Sequence, residues 1–250
     1  GEQRHARGLA ERVDDAERAV TERLSAIERR LDELAELRRL GDADLSAPTE
    51  TLTEPIERYD AAVREAFEAY VQDAPVRELL ELIETTKQYP LIDYQRPPTD
   101  LLEYVRNHPA GEEPLSTLLS YAQYSGSKLS HYVEDPTAFE TTVPVHRTYL
   151  DRIGPEPLTV GSPPPADELR YLASELVSVV GRFADEETVA LARNLRDLAR
   201  REDYDRLRDA VVAEEELTAE QREALRNGEI EAEAERLRGE RDRLEQALEN

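Results

Sequence analysis

Apolar residues recur at steps of three and four at both ends of this 250-residue chain. Such spacing is typical of helices that pack along a coiled-coil seam. The sequence therefore predicts two helical arms, residues 1–41 and 217–250. The N-terminal seam consists of Val13, Ala16, Val20, Leu24, Ile27, Leu31 and Leu34. The C-terminal seam consists of Ile230, Ala234, Leu237, Leu244 and Leu248, with Arg241 at one seam position.

The two arms are expected to pair with each other within one chain, in an antiparallel direction. Aligning the seams places Ile27 opposite Leu237, and the outermost layer then brings Ala16 opposite Leu248. Because a buried leucine-class side chain contributes roughly 1.5 to 3 kcal/mol, several such layers would hold the arms together. The same seams permit pairing between two chains, so a homodimer remains open.

Local signals mark the ends of these arms. Gly41 follows the first seam and is expected to stop its helix. Thr218 and Gln221 have the spacing of a capping box, and they are predicted to begin the last helix of the chain.

Between the arms, residues 42–216 are expected to form a helical head domain. All 15 prolines lie between Pro48 and Pro165, and several follow a capping residue, as Pro136 follows Asp135. The prolines of 88–98 and 154–165 predict extended connections, and Pro144 is expected to break a helix. No strand is predicted. The fold class is therefore all-α: an antiparallel coiled-coil stalk with an inserted multi-helix head. The predicted head helices are 54–72, 75–87, 99–107, 114–134, 136–153, 165–183, 185–200 and 202–214.

The charge of the chain is strongly acidic, with a net value of −24. Arginine replaces lysine almost everywhere, since only Lys87 and Lys128 are lysines. Excess surface carboxylate keeps a protein solvated in concentrated salt and repels itself at low salt. We therefore expect an acidic protein of a halophilic archaeon. No segment is long and apolar enough to span a membrane, and a cytoplasmic location is expected.

The segment YSGSKLSHYVEDP, residues 124–136, contains the chemistry that most needs interpretation. Tyr124 and Lys128 have the Tyr-x-x-x-Lys spacing of short-chain dehydrogenases. A dehydrogenase also needs a glycine-rich turn between a strand and a helix, and the N-terminal seam leaves no place for one. The match is therefore interpreted as a face of the predicted helix 114–134. This face is nevertheless the candidate interaction patch, with the members Tyr121, Tyr124, Lys128, His131 and Tyr132.

Other site chemistries find little support in the sequence. The absence of Cys excludes thiolate metal sites and cysteine nucleophiles. Asp42, Asp44 and Ser46 imitate the start of a calcium loop, but the residues required later in the loop are missing. Hence no catalytic, metal or cofactor residue is predicted, and no cofactor is expected. The net charge disfavours nucleic acid as a partner. The exception would be a local patch of four clustered arginines that contacts phosphate. These are Arg193, Arg196, Arg200 and Arg201.

Four stretches of the sequence are distinctive: RLGDADLSAPTE (39–50), TKQYPLIDYQRPPTDLLEYVRNHPAG (86–111), YSGSKLSHYVEDP (124–136) and PLTVGSPPPADELRYLASELVSVVGRFADEE (157–187). In these stretches especially, and over essentially its whole length, the chain resembles a haloarchaeal family of helical coiled-coil proteins of unknown function. The resemblance implies a helical halophile protein of the cytoplasm, and it implies no activity, cofactor or catalytic residue.

The sequence thus favours a non-catalytic scaffold or protein-interaction module, whose protein partner it does not name. One alternative is a nucleic-acid- or chromosome-associated accessory protein that uses arginines. Another is an enzyme that uses the Tyr124–Lys128 face.

Overall fold

The computed structural model describes residues 2–249, with side chains for residues 12–248. The predicted all-α class is confirmed, since no β-strand forms within residues 2–249. The helices are α1 (Glu2–Gly41), α2 (Glu50–Asp73), α3 (Val76–Thr85), α4 (Thr99–Asn107), α5 (Leu115–Tyr121), α6 (Gly126–Leu129), α7 (Pro136–Thr142), α8 (Arg147–Asp151), α9 (Ala166–Val180), α10 (Glu186–Leu198), α11 (Tyr204–Glu216), α12 (Ala219–Arg226) and α13 (Glu229–Glu249). Short 3-10 turns lie at Thr86–Gln88, Pro109–Glu112, Pro144–His146 and Glu156–Leu158.

The chain divides into two compact units. Unit 1 joins the residues up to Ala47 with the residues from Asp209 onward, and unit 2 comprises Pro48–Arg208. Residues 42–47 and 209–216, which the sequence assigns to the head, therefore belong to the unit that contains α1 and α13.

In unit 1, α1 and α13 pack against each other in opposite directions. Arg23 pairs with Glu240, and Arg30 pairs with Glu233. Because the residue number rises by seven along α1 while the partner's number falls by seven along α13, the two helices are antiparallel. Ile27 lies with the residue predicted opposite it, Leu237, in one buried apolar cluster, and their exposed fractions are 1% and 4%. The helices of one chain thus pair in the predicted direction. That they form a supercoiled stalk stays a prediction.

The outermost predicted layer of this pairing forms but is not buried, since Ala16 and Leu248 line one open cavity. Ala16 is exposed, and Leu248 exposes 42% of its surface. Val13, one seam position further out, is 53% exposed. The buried cluster instead begins at Ile27 and continues through Leu34. Burial along the seam is therefore concentrated between the second half of α1 and the first half of α13.

The C-terminal arm is also not the single helix that the sequence predicts. The capping box of Thr218 and Gln221 is present, with both reciprocal hydrogen bonds, but it begins the short helix α12. That helix ends at Arg226, and Gly228 then adopts a φ of 72°. This left-handed conformation is accessible to glycine without strain and ends a helix. Gly41 ends α1, as predicted.

Unit 2 is built around α2, α9 and α10. The helix α10 packs against both α9 and α2. The buried face of α2 includes Ile56, Tyr59, Val63 and Phe67. The sequence places the start of this helix near Pro55, but α2 begins at Glu50 and contains Pro55. A proline at this position removes one intrahelical hydrogen bond, and the burial of the α2 face compensates for it.

Tyrosine hydroxyls hold the proline-rich connections of unit 2 in place. Tyr59 donates to the carbonyl of Leu158 at 2.8 Å, and Tyr94 donates to the carbonyl of Gly154 at 2.8 Å. The buried carboxylate of Asp60 accepts from the backbone amides of Val160 and Gly161. Proline-rich segments carry carbonyls that no helix satisfies, and buried carbonyls need donors. Nine of the 11 tyrosines lie between Tyr59 and Tyr149, and this concentration is thus partly structural.

The predicted helix 114–134 is wrong, and this changes the candidate patch. The helix α5 ends at Tyr121, and Ser125 is extended with a ψ of 154° before α6 begins. Serine and glycine at 125–126 favour helix starts and turns over helix interiors. By contrast, the predicted break at Pro144 is present, because α7 ends at Thr142 and a 3-10 turn follows.

Candidate functional site

The candidate interaction patch lies on a pair of turns and not on one helix face. Tyr121 ends α5, Tyr124 lies in the turn that follows, and Lys128 belongs to α6. His131 and Tyr132 lie in the turn after α6, where the amide of Tyr132 donates to the carbonyl of Leu129 at 2.9 Å. Chain reversal at these turns brings Tyr132 against Tyr121 and Tyr124, which a continuous helix would place two to three turns away.

Three tyrosine rings pack against one another at the centre of the patch. The ring centroids of Tyr121 and Tyr132, and of Tyr124 and Tyr132, are each 5.3 Å apart. The centroids of Tyr121 and Tyr124 are 5.6 Å apart. These spacings are within the range of favourable aromatic pairs. Because the rings contact each other directly, they leave no cage between them for a cationic ligand.

Lys128 covers one of these rings. Its Nζ lies 3.6 Å from the centroid of the Tyr124 ring. An ammonium group over an aromatic face is attracted by the ring quadrupole. A lysine that activates a tyrosine hydroxyl acts on the oxygen, whereas Lys128 lies over the ring. The geometry therefore resembles a packing contact more than a proton-transfer pair.

The five residues differ in their access to solvent. Tyr121 is buried, Tyr124 is half-buried, and Lys128 and His131 are exposed. Tyr132 exposes 51% of its surface. Burial, with smaller contributions from Glu113 and the neighbouring tyrosines, raises the pKa of Tyr121, so this phenol stays protonated at neutral pH. Tyr121 therefore forms the buried side of the patch. Lys128, His131 and Tyr132 form its solvent-facing surface.

The remaining predicted features have structural roles. The carboxylate of Asp44 accepts from the amide and hydroxyl of Ser46 at 3.1 Å and 2.6 Å. In the described part of the chain, no group of three or more His, Asp or Glu side chains is arranged to hold a metal ion. Residues 42–46 form a series of turns after α1.

The four clustered arginines lie on α10 and in the turn that follows it, and three of them pair with acids. Arg193 pairs with Glu186, Arg200 with Asp197 at 3.4 Å, and Arg201 with Asp203 at 2.9 Å. These pairs lower the local positive charge that a phosphate backbone would meet. Among residues 2–249, no helix is both long and apolar enough to cross a membrane.

Sequence reasoning missed one concave feature of unit 1. A cavity of about 450 Å³ lies where the end of α1 meets α12 and the start of α13, and arginines are part of its lining. Its lining residues come from opposite ends of the chain, so no local pattern indicates it.

Comparison with known proteins defines the family of the chain and no more. No curated protein matches the sequence, and no solved structure does. A family model described as a domain of unknown function (DUF7118) matches residues 2–248. The chain therefore belongs to the DUF7118 family, whose members share a domain of unknown function.

Proposed function

We propose that the chain is a non-catalytic protein-interaction module, and that the tyrosine patch is its contact surface. The observation that carries this proposal is the packed group of Tyr121, Tyr124 and Tyr132, whose outermost ring is half exposed. Rings that are already ordered lose little conformational entropy when a partner covers them.

The composition of the patch supports protein contact. Tyrosine is enriched in the cores of protein interfaces, where its ring supplies apolar area and its hydroxyl a hydrogen bond. Serines lie between the tyrosines in the sequence, and Ser125, Ser127 and Ser130 are all exposed. Tyrosine together with serine is also the composition of antibody contact loops. Lys128 adds a cationic group in a chain that has only two lysines.

The other two functions have weaker support. An enzyme using Tyr124 and Lys128 is disfavoured because the ammonium lies over the ring. A nucleic-acid-associated role is disfavoured because Arg193, Arg200 and Arg201 pair with neighbouring acids, which lowers the local positive charge. Binding of DNA that weakens steeply with salt would revive the second alternative. The acidic composition supports a halophilic source, which is part of the proposal. A cytoplasmic location is also part of the proposal.

The experiment compares what the intact protein captures from its native cells at native salt with what two variants capture. Tyr132→Ser removes the exposed ring of the patch. Tyr171→Ser is the matched control, because Tyr171 is 65% exposed in the same unit and lies outside the patch. A partner captured by the wild type and by Tyr171→Ser, and lost with Tyr132→Ser, supports the proposal. Identical captured proteins for all three would overturn it.

A further inference from the structure

The cavity of unit 1 has an apolar floor. Leu45, Leu217 and Leu225 line it, together with Gly41 at the end of α1. A Cβ added at Gly41 would lie 2.9 Å from Cδ2 of Leu225, so a larger residue at this position would require the leucine side chain to shift away from the α1 backbone. The close approach shapes one wall of the cavity. Its volume of about 450 Å³ is within the range of small-molecule sites.

Three arginines, Arg38, Arg222 and Arg226, also line this cavity. Arg222 is fixed by a hydrogen bond of 2.9 Å from Nη2 to the carbonyl of Glu214. Its Nε is buried and has no acceptor among the described residues. Since a guanidinium carries five donors, one hydrogen bond to a backbone carbonyl leaves most of its capacity unused.

The other two arginines are only weakly engaged. The Nε of Arg226 lies 3.4 Å from the carbonyl of Arg222, which is a long hydrogen bond. The Nε of Arg38 lies 4.0 Å from the carboxylate of Glu231, and both side chains are largely solvated. An ion pair of this kind contributes little and is readily exchanged for another partner.

The charge around the cavity is opposite in sign to the charge of the whole chain. Its lining has three arginines and two acids, Asp42 and Glu231, whereas the chain has a net charge of −24. The chain as a whole therefore repels anions, and an anion that binds here must be attracted by the arginines of the cavity. Apolar walls strengthen the electrostatic interaction of an ion beside them.

We propose that this cavity binds a small amphiphilic anion, a carboxylate carrying an apolar chain. The carboxylate pairs with Arg226 and Arg38 at the rim, near the fixed guanidinium of Arg222. The apolar chain covers Leu217, Leu225 and Leu45. This site lies in unit 1 and does not depend on the tyrosine patch of unit 2.

Binding is tested by displacement of the fluorescent probe anilinonaphthalene sulfonate from the intact protein. Measurements are made at the potassium chloride concentration that gives maximal helical circular dichroism, so that unfolded chain does not bind the probe. Octanoate is expected to displace the probe saturably, and octanol, which has the same chain without the charge, is expected to displace it far less. Equal displacement by the two, or no saturable displacement by octanoate, would contradict the proposal.

Two exposed positions test the arginines without disturbing the core. Arg226→Ala and Arg38→Ala are each expected to weaken octanoate binding by about tenfold, since a charge-assisted hydrogen bond is lost. Arg18→Ala is the matched control, because this arginine of α1 is 69% exposed at its side chain and does not line the cavity. Octanoate affinity that is unchanged in both cavity variants, or lowered equally by Arg18→Ala, would refute the assignment.

Discussion

Arg30 and Glu233 form a two-point ion pair between α1 and α13, with Nε–Oε1 and Nη2–Oε2 distances of 2.9 Å and 3.1 Å. The neighbouring pair of Arg23 and Glu240 repeats this geometry at 2.8 Å and 3.1 Å. Both pairs flank the buried cluster that contains Ile27. The polar contacts and the apolar seam therefore specify the same antiparallel register.

The first prediction concerns the apolar seam. Ile27→Ala is expected to lower the free energy of unfolding by roughly 2 to 5 kcal/mol, because it leaves a cavity in a buried cluster. Ile27→Asp should go further and separate α1 from α13, because it buries a charge without a partner. Urea denaturation followed by circular dichroism measures both. Val13→Ala is the control, since Val13 is 53% exposed. If Val13→Ala lowers the free energy of unfolding as much as Ile27→Ala does, the assignment of Ile27 to the buried seam is contradicted.

The second prediction concerns the ion pair of Arg30 and Glu233. Hydrogen bonding to Arg30 lowers the pKa of Glu233. A carboxyl whose pKa is lowered by folding stabilises the folded state above its unfolded pKa of about 4.3, and this contribution is lost as the pH falls through the lowered pKa.

A double-mutant cycle with Arg30→Gln and Glu233→Gln measures this pair. The coupling energy at pH 7 is expected to be about 0.5 to 1 kcal/mol, because both side chains are partly exposed. It should vanish well below the pKa of Glu233. A smaller coupling energy is expected for the pair of Arg18 and Asp15, which is a single contact of 3.3 Å between well-exposed side chains. A coupling that persists unchanged at low pH would be inconsistent with the ion pair.

The third prediction concerns salt. Residues 42–216 contain 17 basic and 36 acidic residues, a net charge of −19. The melting temperature should rise as potassium chloride increases from roughly 0.1 to 3 M, because screening relieves repulsion among carboxylates. An uncharged osmolyte at matched osmolality is the control for exclusion effects. A melting temperature that stays flat over this range would remove the argument for a halophilic protein.

The fourth prediction concerns Tyr124. Nicotinamide cofactors are expected to give no thermal shift, because the nucleotide-binding turn of a dehydrogenase is missing from the sequence. Differential scanning fluorimetry with the oxidised and reduced cofactors measures this. A reproducible shift in the wild type that disappears in Tyr124→Phe would restore the enzyme interpretation.

The fifth prediction compares two glycines at which an added methyl group would meet open space. Gly228 has a φ of 72°, whereas Gly239 lies in the interior of α13, and neither has a neighbouring atom within 4 Å of an added Cβ. Gly228→Ala should lower the free energy of unfolding by about 1 kcal/mol because of backbone strain. Gly239→Ala should raise the free energy of unfolding by about 0.5 to 1 kcal/mol, because alanine favours the helical conformation more than glycine does. Thermal unfolding measures the difference, and equal effects of one sign would contradict the turn between α12 and α13.

Short-range signals in the sequence predicted several helix ends correctly. The carboxylate of Asp135 accepts from the amide of Ala138 at 3.0 Å and caps α7, as its position before Pro136 indicates. Thr218 and Gln221 form the expected capping box. These interactions join residues within three positions of each other, so their spacing is visible in the sequence.

The missed helix ends had weaker or competing signals. Asn227 and Gly228 form a turn dipeptide, but the apolar seam on both sides favoured one continuous helix. The apolar positions around Ser125, from Leu115 to Val133, likewise continue at helical spacing across the break. Periodicity reports which residues are buried, and it does not report whether the backbone between them stays helical.

Residue types at helical spacing were enough to predict the helical class, the seams of α1 and α13 and their antiparallel match. The packed chain was needed to show that Tyr121, Tyr124 and Tyr132 share one ring cluster, and that arginines from both ends of the chain line one cavity. The physical reason is range. Helix propensity and capping act over about four residues, whereas ring packing and cavity formation depend on where chain reversals bring distant residues together.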